Sequence, residues 1–439
     1  MVIEMFYQKD IETMPRAQIE ALQLERLRSI VAYCEKNVPF YAKRLAEAHV
    51  TADKIKTLKD VRYIPMTTKA DIRDNYPYGL FAVPMKKIVR IHASSGTTGK
   101  PTVVGYTRRD LENWSDCVAR LCAAAGVTDE DVAQVSFGYG LFTGALGLHY
   151  GLEKLGCAVI PVSSGNTEKQ VMLLEDFGTT VLISTPSYAM YMSEVAKEMG
   201  VPPEHIRLRI GLFGSEGCTM ELRQKIEAGF GLFATDNYGM SELMGPGVAG
   251  ECEERAGLHF AEDHFLPEII DSITGEPLPV GESGELVITT LTKEGIPLLR
   301  YRTKDITRLN AEPCRCGRTH MRMDKVSGRS DDMLKIRGVN VFPSQIESVI
   351  AAIDGISPHY ELVLTRKNYT DYLEVRVELT NAELLEQYGR LEALRETVAA
   401  RLQTVLGIKA KVTLAAPRSL KRYEGKAKRI VDLRSGNSQ

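Results

Sequence analysis

The sequence predicts an α/β fold, in which a large, multi-subdomain N-terminal α/β body with a β-rich unit precedes a small, mobile C-terminal α+β lid domain. Three observations predict it. The chain has 439 residues, short apolar runs alternate with helical patterns in its first half, and from about Pro267 strand-like runs are separated by glycine and proline. At roughly 150 residues per domain this length suffices for about three domain-sized units, and strand-helix alternation is typical of parallel α/β layers.

The first part of the chain is predicted to contain a helix and then two strands around a loop. Apolar residues at positions 24, 27, 31 and 34 recur at steps of three and four, so they share one helical face, and Pro39 ends the pattern soon after Asn37. The runs KIVRI and TVVGY, which end at Ile91 and Tyr106, are rich in β-branched residues and flank a loop of glycine and hydroxyl residues.

The middle of the chain is predicted to alternate between helices and strands. Thr107 and Asp110 form a capping-box pattern before a helix whose apolar stripe continues to Ala125. Further helices are expected over 144–155 and from Glu168. The strands expected between and after these helices are VAQVSF, CAVIPV, TVLIST and IRLRIGLFGSE.

The last third of the chain has a different pattern, in which short strand-like runs predominate. The runs EIIDS, GELVITTL and RYRTKDITRL predict short, mainly antiparallel strands. After Gly328 an amphipathic helix with apolar residues from Leu391 to Val405 and a strand over 411–415 predict a separate α+β unit. We therefore divide the chain into an N-terminal domain, 1–328, and a C-terminal lid domain, 329–439.

Charge and composition argue against several classes of protein. The 55 lysine and arginine residues nearly balance the 57 acidic ones, and no block of like charge is long enough for a nucleic-acid arm. No run of about 18 apolar residues suggests a membrane span, and the first dozen residues have no signal-peptide core. We therefore expect a cytoplasmic protein with no nucleic-acid partner and no membrane.

The loop at 94–101 has the composition of a phosphate-binding site. Its sequence SSGTTGKP places four hydroxyl groups, two glycines and a lysine in eight positions. Glycines expose backbone N–H groups, hydroxyl groups donate further hydrogen bonds, and Lys100 adds a positive charge. The loop differs from a Walker A motif, because only two residues separate Gly96 from Gly99 and because Pro101 follows the lysine.

Five further segments make this loop part of a longer series of motifs. They are YGMSE at 238–242, GESGEL at 281–286, YRTKD at 301–305, GRSDD at 328–332 and GK at 425–426. In composition and order the six segments resemble the motifs of the acyl-adenylate-forming superfamily. The segments FGYGLFTG at 137–144, EDHFLPEIID at 262–271 and RGVNVFPSQIE at 337–347 narrow the resemblance to its phenylacetate-CoA ligase subfamily.

The resemblance implies a reaction in two halves. An aryl carboxylate attacks the α-phosphate of ATP to give an acyl-AMP and pyrophosphate, and the thiol of coenzyme A then displaces AMP. Phenylacetate is the substrate that the subfamily implies; indoleacetate, a hydroxycinnamate or benzoate stay open, as does delivery to a carrier protein. The loop spacing disfavours a P-loop kinase or NTPase, and a nucleotide-binding sensor without activity would give no reason for Lys426.

The resemblance also implies the catalytic residues, Lys426, Glu242 and Lys100. Lys426 would bridge the incoming carboxylate and the α-phosphate, because a compact cation can hold two anions together despite their repulsion. Glu242 and Thr98 would hold Mg²⁺, which prefers hard oxygen ligands.

Nucleotide-binding roles follow from the same resemblance. Asp305 would accept hydrogen bonds from both ribose hydroxyls, Arg329 would approach the ribose or a phosphate, and Tyr238 would offer a stacking face to adenine. The other residues expected to bind ATP or AMP are Ser94, Ser95, Gly96, Thr97, Thr98, Gly99, Gly214, Ser215, Glu216, Asp236, Asn237, Gly239, Met240 and Ser241.

The acyl pocket and the lid are assigned in the same way. Phe137, Tyr139 and Phe142 concentrate aromatic rings within six positions and suit an aryl ring. The resemblance makes Asp331 the hinge about which the lid turns between the half-reactions. It makes Gly338 a point of close approach for the pantetheine arm of coenzyme A, and it implies a homodimer.

A structural zinc site is a separate prediction from the residues themselves. Three thiols and one imidazole make a set suited to tetrahedral Zn²⁺, and in a reducing compartment clustered cysteines are better interpreted as ligands than as disulfides. His264 and His320 are possible substitute ligands. The predicted zinc ligands are Cys252, His259, Cys314 and Cys316.

Overall fold

A computed structural model describes residues 6–94, 101–330, 334–337, 339–367, 370–423 and 428–434. Its helices are α1 (Lys9–Glu12), α2 (Arg16–Asn37), α3 (Pro39–Glu47), α4 (Lys69–Asp74), α5 (Arg108–Ala124), α6 (Gly144–Leu155), α7 (Thr167–Asp176), α8 (Pro186–Glu198), α9 (Met220–Phe230), α10 (Pro343–Ala351) and α11 (Tyr388–Leu406). Across the described residues, no helix is both long enough and apolar enough to span a bilayer.

The strands fall into a body set and a lid set. Those of the body are β1 (Arg90–Ser94), β2 (Thr102–Tyr106), β3 (Val132–Val135), β4 (Ala158–Ile160), β5 (Val181–Ser184), β6 (Ile210–Phe213), β7 (Phe233–Met240), β8 (Gly245–Glu251), β9 (Leu258–Phe260), β10 (Phe265–Ile270), β11 (Ser283–Thr290), β12 (Tyr301–Asn310), β13 (Arg322–Met323) and β14 (Gly328–Arg329). Those of the lid are β15 (Leu334–Ile336), β16 (Val339–Val341), β17 (Ile356–Lys367), β18 (Thr370–Leu379), β19 (Lys411–Ala415) and β20 (Ile430–Asp432).

The body is organised around one long mixed sheet. Its strand order is β10-β11-β12-β13-β9-β8-β7-β6-β5-β3-β4, and β14 pairs with β12. The pairs from β4 to β7 are parallel, whereas β7 pairs with β8 in antiparallel fashion and the strands beyond it are antiparallel too. The predicted change from parallel layers to antiparallel strands is confirmed, and β7 is the strand at which it occurs.

The elements predicted for the first half are confirmed with small shifts of their ends. The periodic helix is α2, which ends at Asn37, while Pro39 takes the first position of α3. The capping box precedes α5: Thr107 Oγ1 accepts from the Asp110 N–H, and Asp110 Oδ2 accepts from the Thr107 N–H. The buried faces of α2 and α5 pack in the same apolar core, as their period of 3.6 predicts.

The lid has a core of its own. Its sheet has the order β19-β18-β17-β20, and apolar residues of this sheet, α10 and α11 form a cluster that extends from Leu334 to Val412. The predicted helix and the strand at 411–415 are thus present as α11 and β19. At the predicted boundary between the domains, Gly328 and Arg329 form β14, which pairs with β12.

Candidate functional site

The loops at the carboxyl ends of the parallel strands meet at one place. The loop after β3 contacts the turn after β7, where Thr143 Oγ1 lies 3.1 Å from Ser241 Oγ. It also contacts β1, since the Ala93 N–H donates to the Leu141 carbonyl at 2.9 Å. In open α/β sheets the carboxyl ends of parallel strands form the ligand crevice, so these loops mark the candidate active site.

The described residues on either side of the predicted phosphate loop lie on neighbouring strands. Ser94 and Thr102 are partners in the antiparallel pair of β1 and β2. Several predicted site residues lie outside the described residues. They are Ser95, Gly96, Thr97, Thr98, Gly99, Lys100, Asp331, Gly338 and Lys426.

Three predicted nucleotide-binding residues come together at Asp305. The Tyr238 hydroxyl donates to Asp305 Oδ2 at 2.6 Å, and Arg329 Nη1 donates to Asp305 Oδ1 at 2.8 Å. The pairing of β12 with β14 sets Arg329 opposite Asp305, while Tyr238 reaches it from β7. Burial raises the pKa of Tyr238 well above its usual value, and the Asp305 carboxylate raises it further. The phenol therefore stays protonated and fixes the carboxylate.

Residues 214–216 follow β6, and residues 236–237 lie in β7 at the point where its parallel pairing with β6 ends. The Asn237 side chain donates to the Phe213 carbonyl at 2.6 Å, and a Cβ at Gly214 would lie 2.7 Å from Asn237 Oδ1. Glycine is therefore required at 214 for this close packing. The Asp236 carboxylate is 3.0 Å from Arg223 Nη2 and 2.7 Å from Lys325 Nζ, so it is held by two cations.

Ser215 and Glu216 directly follow Gly214 in the loop after β6. Glu216 Oε1 accepts from the Ser187 N–H at 2.7 Å, next to the start of α8. Ser215 has a left-handed backbone with a φ of 70° and an exposed side chain. These predicted ATP-binding residues thus lie on the adjacent strands β6 and β7 or just after them, with Asp236 engaged in ion pairs and Ser215 open to solvent.

Glu242 lies in the turn between β7 and β8. Its side chain is 3% exposed, and its Oε1 is 3.2 Å from Lys69 Nζ, although this oxygen accepts no hydrogen bond among the described residues. Near the end of β7, a Cβ at Gly239 would lie 1.7 Å from the Gly245 carbonyl oxygen. Only glycine therefore allows β7 and β8 to approach closely enough to form this turn.

The aromatic residues of the loop at 137–144 have different surroundings. Phe137 and Tyr139 are half-buried and pack against the body core, whereas the Phe142 side chain is 55% exposed. The Tyr139 hydroxyl lies 3.0 Å from His149 Nδ1, and His149 Nε2 lies 3.0 Å from Glu153 Oε1. His149 therefore orients Tyr139, a contact that sequence reasoning missed.

Sequence reasoning also missed the side chains that hold the Glu242 turn. Lys69 pairs with the carboxylate itself, and Lys293 and Tyr106 donate to backbone carbonyls of the turn. A signal for Lys293 existed, because it follows the buried β11 almost directly and a lysine in an apolar setting is unusual. No pattern in the sequence indicates Lys69.

The four predicted zinc ligands form one buried cluster. Cys252, His259, Cys314 and Cys316 each offer a ligand atom, and these atoms lie within 4.8 Å of one another. The sulfur atoms of Cys252 and Cys314 are 3.8 Å apart, and Cys316 Sγ is 3.4 Å from His259 Nε2. For tetrahedral zinc with bonds of about 2.3 Å to sulfur and about 2.0 Å to nitrogen, these separations would be about 3.8 and about 3.5 Å.

The surroundings of His259 favour the same interpretation. Its Nδ1 lies 3.2 Å from the His320 carbonyl oxygen, which is the kind of contact that fixes the tautomer of a metal-binding histidine. Nε2 is then free to face the thiols. The two possible substitute ligands are engaged elsewhere: His264 contacts Asp263 and Thr292, and His320 contacts backbone carbonyls.

Comparisons with known proteins agree with this architecture. The family model described as AMP-binding enzyme matches residues 19–292, and that of the AMP-binding enzyme C-terminal domain matches 338–434. The chain is 50% identical to the phenylacetate-coenzyme A ligase of Thermus thermophilus, over 98% of this chain and 100% of the relative. It is 48% identical to that of Escherichia coli, over 97% of each chain. The benzoate–CoA ligase of Thauera aromatica is 25% identical over 71% of this chain and 59% of its own length.

The solved structures of 2-hydroxyisobutyryl-CoA ligase are similar over the whole chain. The postadenylation state, with bound R3-HIB-AMP, superposes with a TM-score of 0.93 at 29% identity, covering 99% of this chain and 94% of that one. The thioesterification state of the same protein gives a TM-score of 0.73 at the same coverage. Body and lid are therefore arranged here as in the postadenylation state. From the matched models, the near-full-length relatives and this architecture, the chain belongs to the AMP-binding enzyme family and, within it, to the phenylacetate-coenzyme A ligases.

Proposed function

We propose that this protein is an AMP-forming phenylacetate–CoA ligase. It would convert phenylacetate, ATP and coenzyme A into phenylacetyl-CoA, AMP and pyrophosphate. The observation that carries the proposal is the partly buried Tyr238–Asp305–Arg329 arrangement near the end of β7, in a chain that is 48–50% identical to phenylacetate-coenzyme A ligases. The lower identity of 25% to a benzoate–CoA ligase favours phenylacetate over benzoate.

The chain's own residues would perform the first half-reaction. Asp305, held by Tyr238 and Arg329, would accept hydrogen bonds from the ribose hydroxyls of ATP. The loop at 94–101 would surround the phosphates with N–H and hydroxyl donors, and Lys426 would draw the carboxylate onto the α-phosphate. The aromatic loop at 137–144 would border the aryl group.

Mg²⁺ fits the chemistry of the Glu242 turn. Glu242 presents a buried carboxylate oxygen that accepts no hydrogen bond among the described residues, and such a hard oxygen is a ligand that Mg²⁺ prefers. With Thr98 it would hold the ion, which when bound would neutralise charge on the triphosphate. Lys69, 3.2 Å from Glu242 Oε1, would have to release that oxygen.

We further propose that Cys252, His259, Cys314 and Cys316 hold a structural Zn²⁺. The site lies among β8, β9 and the loop before β13, remote in sequence from the predicted phosphate and lysine loops. It would stabilise the antiparallel part of the body and take no part in the reaction.

The decisive experiment measures pyrophosphate release with phenylacetate, indoleacetate, a hydroxycinnamate and benzoate. We expect the highest kcat/KM with phenylacetate and thioester formation that depends on free coenzyme A. Lys426→Ala should abolish pyrophosphate release yet still convert supplied phenylacetyl-AMP to the thioester. Release of ADP, or equal loss of both half-reactions in Lys426→Ala, would contradict the proposal.

The division into domains 1–328 and 329–439, the hinge at Asp331, the pantetheine contact at Gly338, the cytoplasmic location and the homodimer stay predictions. Eight free cysteines suit a reducing compartment such as the cytoplasm. Light scattering of the purified protein would test the dimer.

A further inference from the structure

The turn that carries Glu242 has few backbone hydrogen bonds of its own. The N–H groups of Leu243 and Met244 donate back to the Met240 carbonyl. The carbonyl groups of residues 241–244 need donors as well, because an unpaired backbone carbonyl away from water costs free energy.

Two side chains bring donors within reach of all four carbonyls, and the single O–H proton of Tyr106 serves one of its two carbonyls at a time. The Tyr106 hydroxyl lies 3.3 Å from the Ser241 oxygen and 3.2 Å from the Met244 oxygen. Lys293 Nζ lies 3.1 Å from the Glu242 oxygen and also donates to the Leu243 oxygen. We call this arrangement the carbonyl clamp, formed by Tyr106 and Lys293 on the turn 241–244.

The two side chains of the clamp also contact each other. Lys293 Nζ lies 4.7 Å from the centroid of the Tyr106 ring, which suits a cation–π contact. Tyr106 is fully buried and stacks on Trp114 with ring centroids 5.1 Å apart. The position of the Tyr106 ring in the clamp is therefore fixed by its stacking on Trp114.

The chain segment that carries Lys293 is anchored as well. Asp110 accepts from the N–H groups of Glu294 and Gly295 at 2.7 and 2.9 Å. Lys293 is itself 3% exposed. Burying an ammonium group costs free energy unless it is paired, and an apolar side chain would fill the same space at a lower cost, so its contact with the Glu242 turn requires a functional reason.

We propose that Lys293 is a positioning residue of the adenylation half-reaction, and that with Tyr106 it fixes the backbone of the turn so that the Glu242 carboxylate is held in place for Mg²⁺–ATP. The proposal rests on the proposed function for its catalytic consequence. Its structural part, that Tyr106 and Lys293 hold the turn, depends only on the hydrogen bonds described above. Lys293 touches backbone atoms of the turn and acts through Glu242.

Two variants and one matched control test the clamp. Lys293→Met removes the ammonium and keeps the length of the side chain, and Lys293→Arg restores donors and charge. Lys54→Met is the control, because Lys54 Nζ also donates to a backbone carbonyl, that of His49 at 2.7 Å, but at the surface. Should Lys293→Met fail to fold, Tyr106→Phe removes only the hydroxyl donor and tests the same turn.

The first readout is hydrogen–deuterium exchange, which needs no activity. We expect the amides of Leu243 and Met244 to exchange at least about 10-fold faster in Lys293→Met, because their turn has lost a donor to two carbonyls. Lys293→Arg should recover most of the protection, and Lys54→Met should leave it unchanged. Unchanged exchange in Lys293→Met would overturn the clamp.

The second readout separates the half-reactions. In Lys293→Met we expect kcat for pyrophosphate release to fall about 10- to 100-fold, as is typical when a residue that orients a metal ligand is lost. The Mg²⁺ concentration for half-maximal rate should rise, while thioester formation from supplied phenylacetyl-AMP stays within about twofold. An equal loss in both halves would overturn the positioning role. A wild-type protein that releases no pyrophosphate with any aryl acid would instead contradict the proposed function, and the exchange experiment would still test the clamp.

Discussion

The Tyr238 hydroxyl donates a 2.6 Å hydrogen bond to Asp305 Oδ2, across the 67 positions that separate the two residues in the chain. A hydrogen bond to a charged group typically contributes about 1.5–3 kcal/mol. For Tyr238→Phe we therefore expect the KM for ATP in pyrophosphate release to rise about 10-fold or more, since the carboxylate loses the hydrogen bond from this hydroxyl. Asp305→Asn should have a larger effect.

The control for this prediction is Tyr63→Phe, at a residue that is 57% exposed on the body surface. It should leave the KM for ATP unchanged. An unchanged KM in Tyr238→Phe as well would mean that Tyr238 does not position Asp305 for the ribose.

Much of the fold follows from local patterns. The helix predicted at 144–155 is α6, and Thr107 caps α5 with the predicted partner Asp110. Such signals depend on neighbours three or four positions away, so one sequence suffices to find them. The Cys/His cluster proposed to bind zinc is also predictable, because clustered cysteines with a histidine in a reducing setting suggest few other roles.

The contacts around Glu242 are not predictable in this way. Lys69, Tyr106 and Lys293 come from three segments that only the folded sheet brings together. A lysine that binds carbonyls carries no motif, since any long side chain with a donor could serve. The pairing of Tyr139 with His149 is similar: both residues are visible in the sequence, but the turn into α6 decides that they meet.

Loss of the proposed zinc should destabilise the body without changing the chemistry. We expect purified protein to contain about one zinc per chain and Cys314→Ser to lower both the zinc content and the thermal unfolding temperature. A structural zinc site contributes directly to folding free energy, so the shift should be several degrees. Cys34→Ser, at a buried cysteine outside the cluster, is the control for zinc content. Protein without zinc, and with unchanged stability in Cys314→Ser, would contradict the site.

Stability should depend on pH through His264. Burial lowers the pKa of this imidazole, but Cys117 and the Asp263 carboxylate, 3.1 Å from Nε2, outweigh it and raise the pKa from 6.5 to about 9. Because the folded pKa is raised, the stabilisation is fully present below pH 6.5 and is lost as pH rises through about 9. A shift of this size corresponds to a contribution on the order of 3 kcal/mol to the free energy of unfolding.

His264→Gln is the variant that isolates this effect. Its free energy of unfolding should lie below that of the wild type at pH 6, and the difference should shrink as pH rises to 9. Urea titrations at several pH values measure it. Parallel curves for the two proteins would mean that His264 does not titrate in this range. In that case the Asp263 carboxylate would be neutralised by Arg120, whose Nη1 lies 2.9 Å from Asp263 Oδ1.

The lid arrangement should depend on two glutamates of α8. Glu194 Oε2 lies 3.9 Å from Arg422 Nη2 and Glu198 pairs with Arg418, so one helix face of the body contacts the lid through ion pairs. Exposed ion pairs contribute about 0.2–1 kcal/mol each and weaken with salt. In the double variant Glu194→Gln, Glu198→Gln we expect pyrophosphate release to fall about 2- to 10-fold, because the postadenylation arrangement is less favoured. Thioester formation from supplied phenylacetyl-AMP should stay constant or rise, and added salt should slow the wild type more than the variant. Glu204→Gln, in the loop after α8, is the control, and an equal fall in both half-reactions would show that the glutamates do not select between lid arrangements.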